Sequence, residues 1–194
     1  MFVGHFALAA ATKPLFKKYS IFSLMLASQF LDIVFLILLP FRIEYFTPVN
    51  TNVQGKFGNL LIHAWYTHSL LGAVLLAGVV YGMVRSIFKN DSKTSLGISA
   101  LVFSHWILDI VVHHPDMPLL PGNLGQLPLL GMGLWNQAWL VWLIELIMVI
   151  TAVGIYSIYQ NQNNKQYPKL KLILTRTALV AFFLLLSAGD LMDL

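Results

Sequence analysis

Residues 95–113 read SLGISALVFSHWILDIVVH, and this run of apolar residues decides the fold class. It has about the length that a helix needs to cross the hydrocarbon core of a bilayer, ~20 residues. On such a helix His105 and Asp109 lie four residues apart and share one face. Ionisable groups are expensive at that depth, so they usually face a partner, a cavity or a metal ion. The run therefore predicts a transmembrane helix that carries part of a metal site.

The composition of the whole chain is that of an integral membrane protein. Of the 194 residues, 58% are hydrophobic and 10% are charged, whereas soluble domains average about 25% charged residues. The mean hydropathy is +0.74. The absence of cysteine excludes disulfides, thiolate zinc sites and cysteine nucleophiles. The net charge of +4 comes from basic residues beside apolar runs, so we expect membrane lipids and no nucleic acid as partners.

Four further apolar segments accompany residues 95–113. They cover 20–41, 57–88, 134–159 and 172–191. Residues 1–12 are predicted to form a short helix that enters the membrane only partly. The predicted fold is all-α: one domain over 1–194, with five transmembrane helices plus a short N-terminal membrane-embedded helix.

The loops between these segments separate by charge. The basic ones precede the first segment, join the second to the third and join the fourth to the fifth, at Lys13, Lys17, Lys18, Arg85, Lys89, Lys93, Lys165, Lys169 and Lys171. The positive-inside rule places them in the cytoplasm, which predicts a multi-pass membrane protein. The ionisable residues inside the segments then fall in the middle-to-outer half of the membrane. This placement predicts one polar cavity that is open to the outer side. The Pro- and Gly-rich loop 114–133 is expected to cap it.

His105, Asp109 and His113 form a stripe along one helix face. Imidazole nitrogen and carboxylate oxygen at this spacing can bind one divalent ion or two neighbouring ions. The alternative is a His–Asp pair that only ties helices together. Asp32, alone in its apolar segment, is predicted as a ligand or bridging carboxylate, and the alternative is again a helix–helix hydrogen bond.

His63 and His68 are five residues apart, so on a regular helix they point ~140° from each other. His68 is the stronger ligand candidate. His63 is predicted as a partner of a ligand, a ligand of a second metal, or an acid/base group. Glu145 is a candidate general base, partner of a ligand, or ligand. His5, taken alone, reads as an interfacial residue, and the sequence assigns no role to three further residues, His114, Asp190 and Asp193.

The order of these motifs resembles the YdjM-like family, which is described as inner-membrane-associated metal-dependent hydrolases. The matching pieces are Gly4-His5, the Asp32 segment, His63-Ala-Trp-Tyr-Thr-His68-Ser, and Ser104-His105-Trp-Ile-Leu-Asp109 followed by Pro118-Leu-Leu-Pro121. The resemblance runs over residues 4–121, with weaker support from 131–136. The same order is similar to zinc-dependent phospholipase C, in which such residues hold zinc ions that activate water against a phosphodiester.

The resemblance implies a location in a bacterial inner membrane, a ligand set and a cofactor. Carried over, it makes metal ligands of His5, Asp32, His68, His105 and Asp109, with His113 as a further candidate. One or two divalent ions are expected, zinc in the first place, with Glu145 and His63 as catalytic candidates. Many family members have a second Asp where this chain has Val34, and an Arg where it has Ala64. The missing Arg removes a phosphate clamp.

Four functions stay open at this level. The first is a hydrolase of a lipid or lipid-linked phosphoester or ester, in which a bound ion lowers the pKa of water to about 7. The second is a transporter or channel for metal ions or protons, against which the apolar inner half of the spans argues. The third is a haem or di-iron oxidoreductase, invited by the His113-His114 pair. The fourth is a non-catalytic membrane protein in which these residues only bind metal or hold helices together.

Overall fold

The described part of the protein is all-α apart from one short pair of antiparallel strands. A computed structural model describes residues 1–48, 59–89, 91–163 and 169–192. Within these residues there are seven α-helices and two strands, in the order α1 (Phe2–Thr12), α2 (Ile21–Ser28), α3 (Phe30–Leu38), β1 (Tyr45–Pro48), β2 (Leu60–His63), α4 (Leu70–Ser86), α5 (Ser92–Val112), α6 (Ala138–Gln162) and α7 (Lys169–Met192). The predicted all-α class is therefore confirmed.

The prediction of five transmembrane helices plus one was wrong. In the described part of the chain, two helices are long and apolar enough to cross a membrane: α5, and the helix Leu134–Gln162 that contains α6. A third span arises if α2 and the helix Phe30–Phe41, which are bent by 57° relative to each other, count as one broken span. Membrane association is thus supported, with two or three spans.

Segment 20–41 fails as a straight span because the helix breaks at Gln29. This residue has φ −99° and ψ 11°, outside the helical region, and separates α2 from α3. The break leaves the last carbonyls of α2 without the helical N–H donors that a continuous helix would supply.

Segment 57–88 divides into a strand, a turn and a helix, and its first two residues lie outside the described part. β2 pairs antiparallel with β1, with Tyr45 opposite His63. A turn follows, and α4 begins only after Ser69, whose side chain accepts a hydrogen bond from the Gly72 N–H at 3.0 Å. This N-cap satisfies one of the orphan donors at the start of a helix.

Helix α5 lies at the centre of the bundle and packs against α4, α2, α1 and α3. Helix α1 packs between α6 and α2, and small residues such as Ala7 and Ala10 let it approach closely. Helix α7 packs on α6. The central helix of the bundle therefore carries His105 and Asp109.

The loop 114–133 is fixed to its neighbours by backbone hydrogen bonds. Met117 and Leu130 form an antiparallel bridge within it. The carbonyls of Pro118 and Leu119 accept from the N–H groups of Leu70 and Leu71 at 3.0 and 3.1 Å. The loop thereby caps the first turn of α4, next to His68. Its predicted role as a cap over a cavity stays a prediction.

Candidate metal centre

Asp109 lies at the centre of a cluster of imidazoles. Its Oδ2 is 3.0 Å from His105 Nε2, 3.4 Å from His68 Nε2 and 3.8 Å from His113 Nε2. Its Oδ1 is 3.0 Å from His5 Nε2. All five side chains are buried. The bundle therefore brings together residues from α1, the turn before α4, α5 and the end of α5.

Asp32 completes the cluster from α3. Its Oδ1 lies 3.4 Å from His68 Nε2 and 3.5 Å from His105 Nε2. The candidate ligand atoms form two groups, and within each group all atoms lie within 4.8 Å of one another. One group belongs to His5, His105 and Asp109, and the other to Asp32, His68 and His105. Each group could hold a metal ion. The six residues predicted as ligands thus lie in one place.

The break between α2 and α3 orients His105. Its Nδ1 lies 2.7 Å from the carbonyl oxygen of Ser28, the last residue of α2. A carbonyl only accepts hydrogen bonds, so the proton of the neutral ring is on Nδ1 and the Nε2 lone pair points at Asp109. A continuous helix would have used this carbonyl internally. The break at Gln29 therefore supplies the carbonyl that orients the His105 ring.

His113 is oriented in the same way by Asp116. The Nδ1 of His113 lies 2.9 Å from Asp116 Oδ1, while Asp116 Oδ2 accepts from the Ile62 N–H at 3.1 Å. Because the carboxylate accepts, Nδ1 carries the proton and Nε2 is bare toward Asp109. Metal-binding histidines usually have such a partner on the second nitrogen.

His5 differs from these rings. Its Nε2 bonds Asp109 Oδ1, but its buried Nδ1 has no hydrogen-bond partner among the described residues. Its ring stacks on that of His105, with centroids 3.7 Å apart and planes 8° from parallel. The amino group of Met1 also donates to Asp109 Oδ1, at 2.9 Å. His5 therefore belongs to the cluster but, among the described residues, lacks an outer partner like those of His105 and His113.

The two predicted catalytic residues lie elsewhere. Glu145 Oε1 accepts hydrogen bonds from the N–H groups of Val3 and Gly4 at 3.1 and 3.3 Å, which places this carboxylate at the N-terminus of α1. His63 lies on β2, where its ring stacks on Tyr45 with centroids 4.4 Å apart. Their predicted roles as acid or base stay predictions.

Three residues to which the sequence assigned no role have different placements. His114 is buried, with its ring 6.4 Å from that of Trp135. Asp190 lies on α7, and its side chain, like the whole of Asp193, lies outside the described residues.

Sequence reasoning missed Glu44 and Asp116. Both are buried, and Asp116 bonds the Nδ1 of His113. Asp116 could have been found from its place three residues after His113. Glu44 lies in the loop after the first apolar segment, two residues from Arg42, so the sequence holds no signal that separates it from an ordinary exposed charge.

The cluster forms one wall of a cavity of about 190 Å³. Polar and apolar side chains share its lining, which consists of Met1, Phe2, His5, Asp32, Phe35, Leu36, Phe46, Ile62, His68, Asp109, His113 and Trp135. At ~30 Å³ for each water, the cavity has room for about six water molecules. A small polar group could therefore reach the candidate ligands.

No protein-family model, no curated protein and no solved structure matches this chain. The functional argument therefore rests on the geometry of the cluster and the cavity.

Proposed function

We propose that this chain is a membrane-embedded, metal-dependent hydrolase that acts on an ester or phosphoester of a lipid or lipid-linked compound. The observation that carries the proposal is the set of imidazole Nε2 atoms that face Asp109 and Asp32 at the wall of an apolar cavity. The membership in a YdjM-like family expected from the motifs agrees with this proposal and remains part of it.

The cluster needs positive charge beyond that of the Met1 amino group, which among the described residues contacts only Asp109 Oδ1. The Nε2 atoms of His68 and His105 lie 3.4 Å apart, and the hydrogen bond that His105 makes through Nδ1 leaves its Nε2 lone pair directed into the cluster. Lone pairs and carboxylate oxygens at such distances repel one another unless a cation or a proton lies between them. A divalent cation satisfies all of them at once, and imidazole with carboxylate favours zinc.

A cation held by His68, His105, Asp109 and Asp32 would supply an acidified water and polarise a phosphoryl or ester oxygen. Asp32 is the ligand candidate with the most exposed side chain, 32% against 5% for Asp109. It therefore stands where substrate enters from the cavity, and its carboxylate can accept a proton from the attacking water. The buried imidazoles behind it have their orientation fixed by outer partners.

The walls of the cavity favour an amphiphile as substrate. Phe2, Leu36 and Phe46 line it and are also exposed on the outside of the protein. A cavity of about 190 Å³ is smaller than the ~300–1,000 Å³ of typical small-molecule sites. It can hold a head group, while an acyl or polyprenyl chain would run outward over these exposed apolar residues into the surrounding lipid.

We also propose the orientation expected from the basic loops. The cluster would face the outer side of a bacterial inner membrane, where head groups of the outer leaflet can reach it.

The first test is metal content. The full chain, purified in detergent, should hold one or two zinc ions per molecule by mass spectrometry. His105→Ala and Asp109→Ala should each lose them, whereas His63→Ala, a histidine outside the cluster, should retain them. Wild-type protein without stoichiometric metal, or variants of the cluster that keep it, would contradict the proposal.

The second test is turnover. In mixed micelles, zinc-loaded protein should hydrolyse a p-nitrophenyl phosphodiester or acyl ester, and Asp32→Asn should abolish this reaction. Stoichiometric zinc without turnover of any ester would favour a non-catalytic metal-binding protein. Zinc flux into proteoliposomes would favour the transporter.

A further inference from the structure

Glu44 is a buried carboxylate outside the candidate metal centre. Its side chain has 0% exposure. Glu44 Oε1 accepts hydrogen bonds from the N–H groups of Tyr66 and Thr67, both at 2.8 Å. The hydroxyl of Thr67 donates to the same carboxylate, at 2.9 Å from Oε2 and 3.1 Å from Oε1. Three donors from one turn therefore surround a carboxylate on the segment before β1.

No basic side chain among the described residues forms an ion pair with Glu44. Burial of a carboxylate without a cation is unfavourable unless hydrogen bonds compensate. A neutral side chain could cap the same turn without this cost. The presence of a charge at this position therefore calls for a role beyond capping.

The charge reaches the cluster through Thr67. A carboxylate can only accept, so the single hydroxyl proton of Thr67 points at Glu44. The oxygen of that hydroxyl must then accept from His68 Nδ1, which lies 2.8 Å away. His68 thus carries its proton on Nδ1, and its Nε2 faces Asp109 and Asp32 without a proton. A hydrogen bond from Trp106 Nε1 to the His68 carbonyl, at 2.9 Å, fixes the backbone of the same residue.

We propose that Glu44 and Thr67 are positioning residues that hold His68 in the tautomer and orientation required of a metal ligand. The inference rests on the proposed function and deepens it. A carboxylate behind a metal-binding imidazole both fixes the ring and raises its basicity. Here the carboxylate acts through an intervening hydroxyl, and it comes from a segment that contributes no ligand of its own.

The substitution Glu44→Gln separates this role from capping. The amide oxygen takes the place of Oε1 and still accepts from the N–H groups of Tyr66 and Thr67. The amide nitrogen then replaces Oε2 and donates to the Thr67 hydroxyl oxygen. The hydroxyl thereby loses its nearer acceptor and keeps only the amide oxygen, at the position of Oε1 3.1 Å away, which already accepts from two N–H groups. We therefore expect the hydroxyl proton to turn toward His68 Nδ1. His68 would move its own proton to Nε2, and that proton would block the lone pair that faces the cluster.

The experiment compares zinc affinity and the His68 tautomer in the full chain in detergent. Zinc is removed with a chelator and returned by competition titration in wild type, Glu44→Gln, Thr67→Val and Thr67→Ser. We expect Glu44→Gln and Thr67→Val to weaken zinc binding about 10–100-fold, the usual effect of an outer-shell partner. Thr67→Ser keeps the hydroxyl and should bind zinc like wild type. Thermal unfolding of the zinc-free proteins monitors the fold.

Nitrogen-15 NMR of the His68 ring gives the second readout. In zinc-free wild type the proton should be on Nδ1, and in Glu44→Gln it should be on Nε2. Unchanged zinc affinity and an unchanged tautomer in Glu44→Gln would overturn the inference, as would lower thermal stability with no change in either. If wild type binds no zinc, the proposed function fails, while the tautomer measurement still tests whether Glu44 acts on His68 through Thr67.

Discussion

Helices α5 and α6 are both long and apolar enough to cross a membrane, yet they differ in what surrounds them. Half of the most apolar stretch of α5 is buried inside the protein, against 22% of the corresponding stretch in the helix that contains α6. α5 carries His105 and Asp109 on its buried side. α6 carries Glu145, which is buried against the start of α1. Charged groups are therefore found where neighbouring helices supply partners, as expected for ionisable residues within a membrane protein.

The largest difference between the two helices should appear on removal of a carboxylate charge. Asp109→Asn leaves a side chain of the same size but with a poor metal ligand, so we expect zinc affinity to fall more than about 100-fold, beyond the range for an outer-shell partner. Glu145→Gln keeps an oxygen that accepts from the N–H groups of Val3 and Gly4, so zinc content should be unchanged. Metal analysis of both purified variants makes the comparison.

Loss of zinc in Glu145→Gln would place Glu145 among the ligands, and retention in Asp109→Asn would remove Asp109 from the centre of the cluster.

The next largest effect should be a loss of stability on substitution of Gly131, in the loop that connects α5 to α6. Gly131 has φ +143°, and an added Cβ would lie 2.0 Å from the His114 carbonyl oxygen. Gly131→Ala should therefore cost more than the ~1–3 kcal/mol of a strained backbone conformation. Gly154, on α6, would place a Cβ with no atom within 4 Å, so Gly154→Ala should be neutral or stabilise the helix by up to about 1 kcal/mol. Thermal unfolding in detergent measures both.

A Gly131→Ala protein as stable as wild type would show that loop 114–133 does not hold the end of α5 in place.

Helix α1 contacts both α5 and α6, and it carries His5. We expect the loss of His5 to lower zinc affinity less than the loss of His105. As a ligand through Nε2, His5 would carry its proton on the buried Nδ1, which has no described acceptor, and such an unsatisfied group costs about 1–3 kcal/mol. We expect His5→Phe, which keeps a ring against His105, to weaken zinc binding about tenfold, the lower end for an outer-shell partner. His105→Phe should abolish zinc binding. Competition titration distinguishes the two.

Equal losses in the two variants would make His5 a full ligand and would indicate an acceptor for its Nδ1 beyond those described.

The smallest expected effect is on the stability that the N-cap residues of α5 and α6 contribute. Asp91 caps α5: the N–H and the hydroxyl of Thr94 donate to its carboxylate at 2.8 and 2.7 Å. These hydrogen bonds lower the pKa of this exposed carboxyl below its usual value of 3.8. Its contribution to stability is therefore present at neutral pH and is lost as the pH falls below about 4.

Thermal unfolding of wild type should show this loss at low pH, and Asp91→Asn, which caps a helix without titrating, should not. The N-cap residue of α6, Gln137, makes no side-chain cap, so Gln137→Ala should have little effect at any pH. The same pH dependence in Asp91→Asn as in wild type would assign it to other groups.

Periodicity and hydrophobicity predicted much of this arrangement. His105 and Asp109 share a helix face because residues four apart lie on the same side of any α-helix. Asp32 and His68 could be singled out because an ionisable group in an apolar run has few alternatives to a buried partner. The breaks were not predictable in this way: Gln29 and Ser69 end or begin a helix within runs that read as continuous spans. Glu44 was missed because it lies in a loop, where a charge needs no explanation until burial is known.

The sequence by itself determined the membrane-compatible composition, the all-α class and the side chains able to bind a metal ion, because these depend only on chemical character and local period. Only the tertiary structure decided which nitrogen of each ring faces the cluster and where the apolar runs break into shorter helices. Both depend on hydrogen-bond partners distant in the chain, such as the Ser28 carbonyl for His105 and Glu44, through Thr67, for His68. Such partners satisfy polar groups that no local pattern reveals.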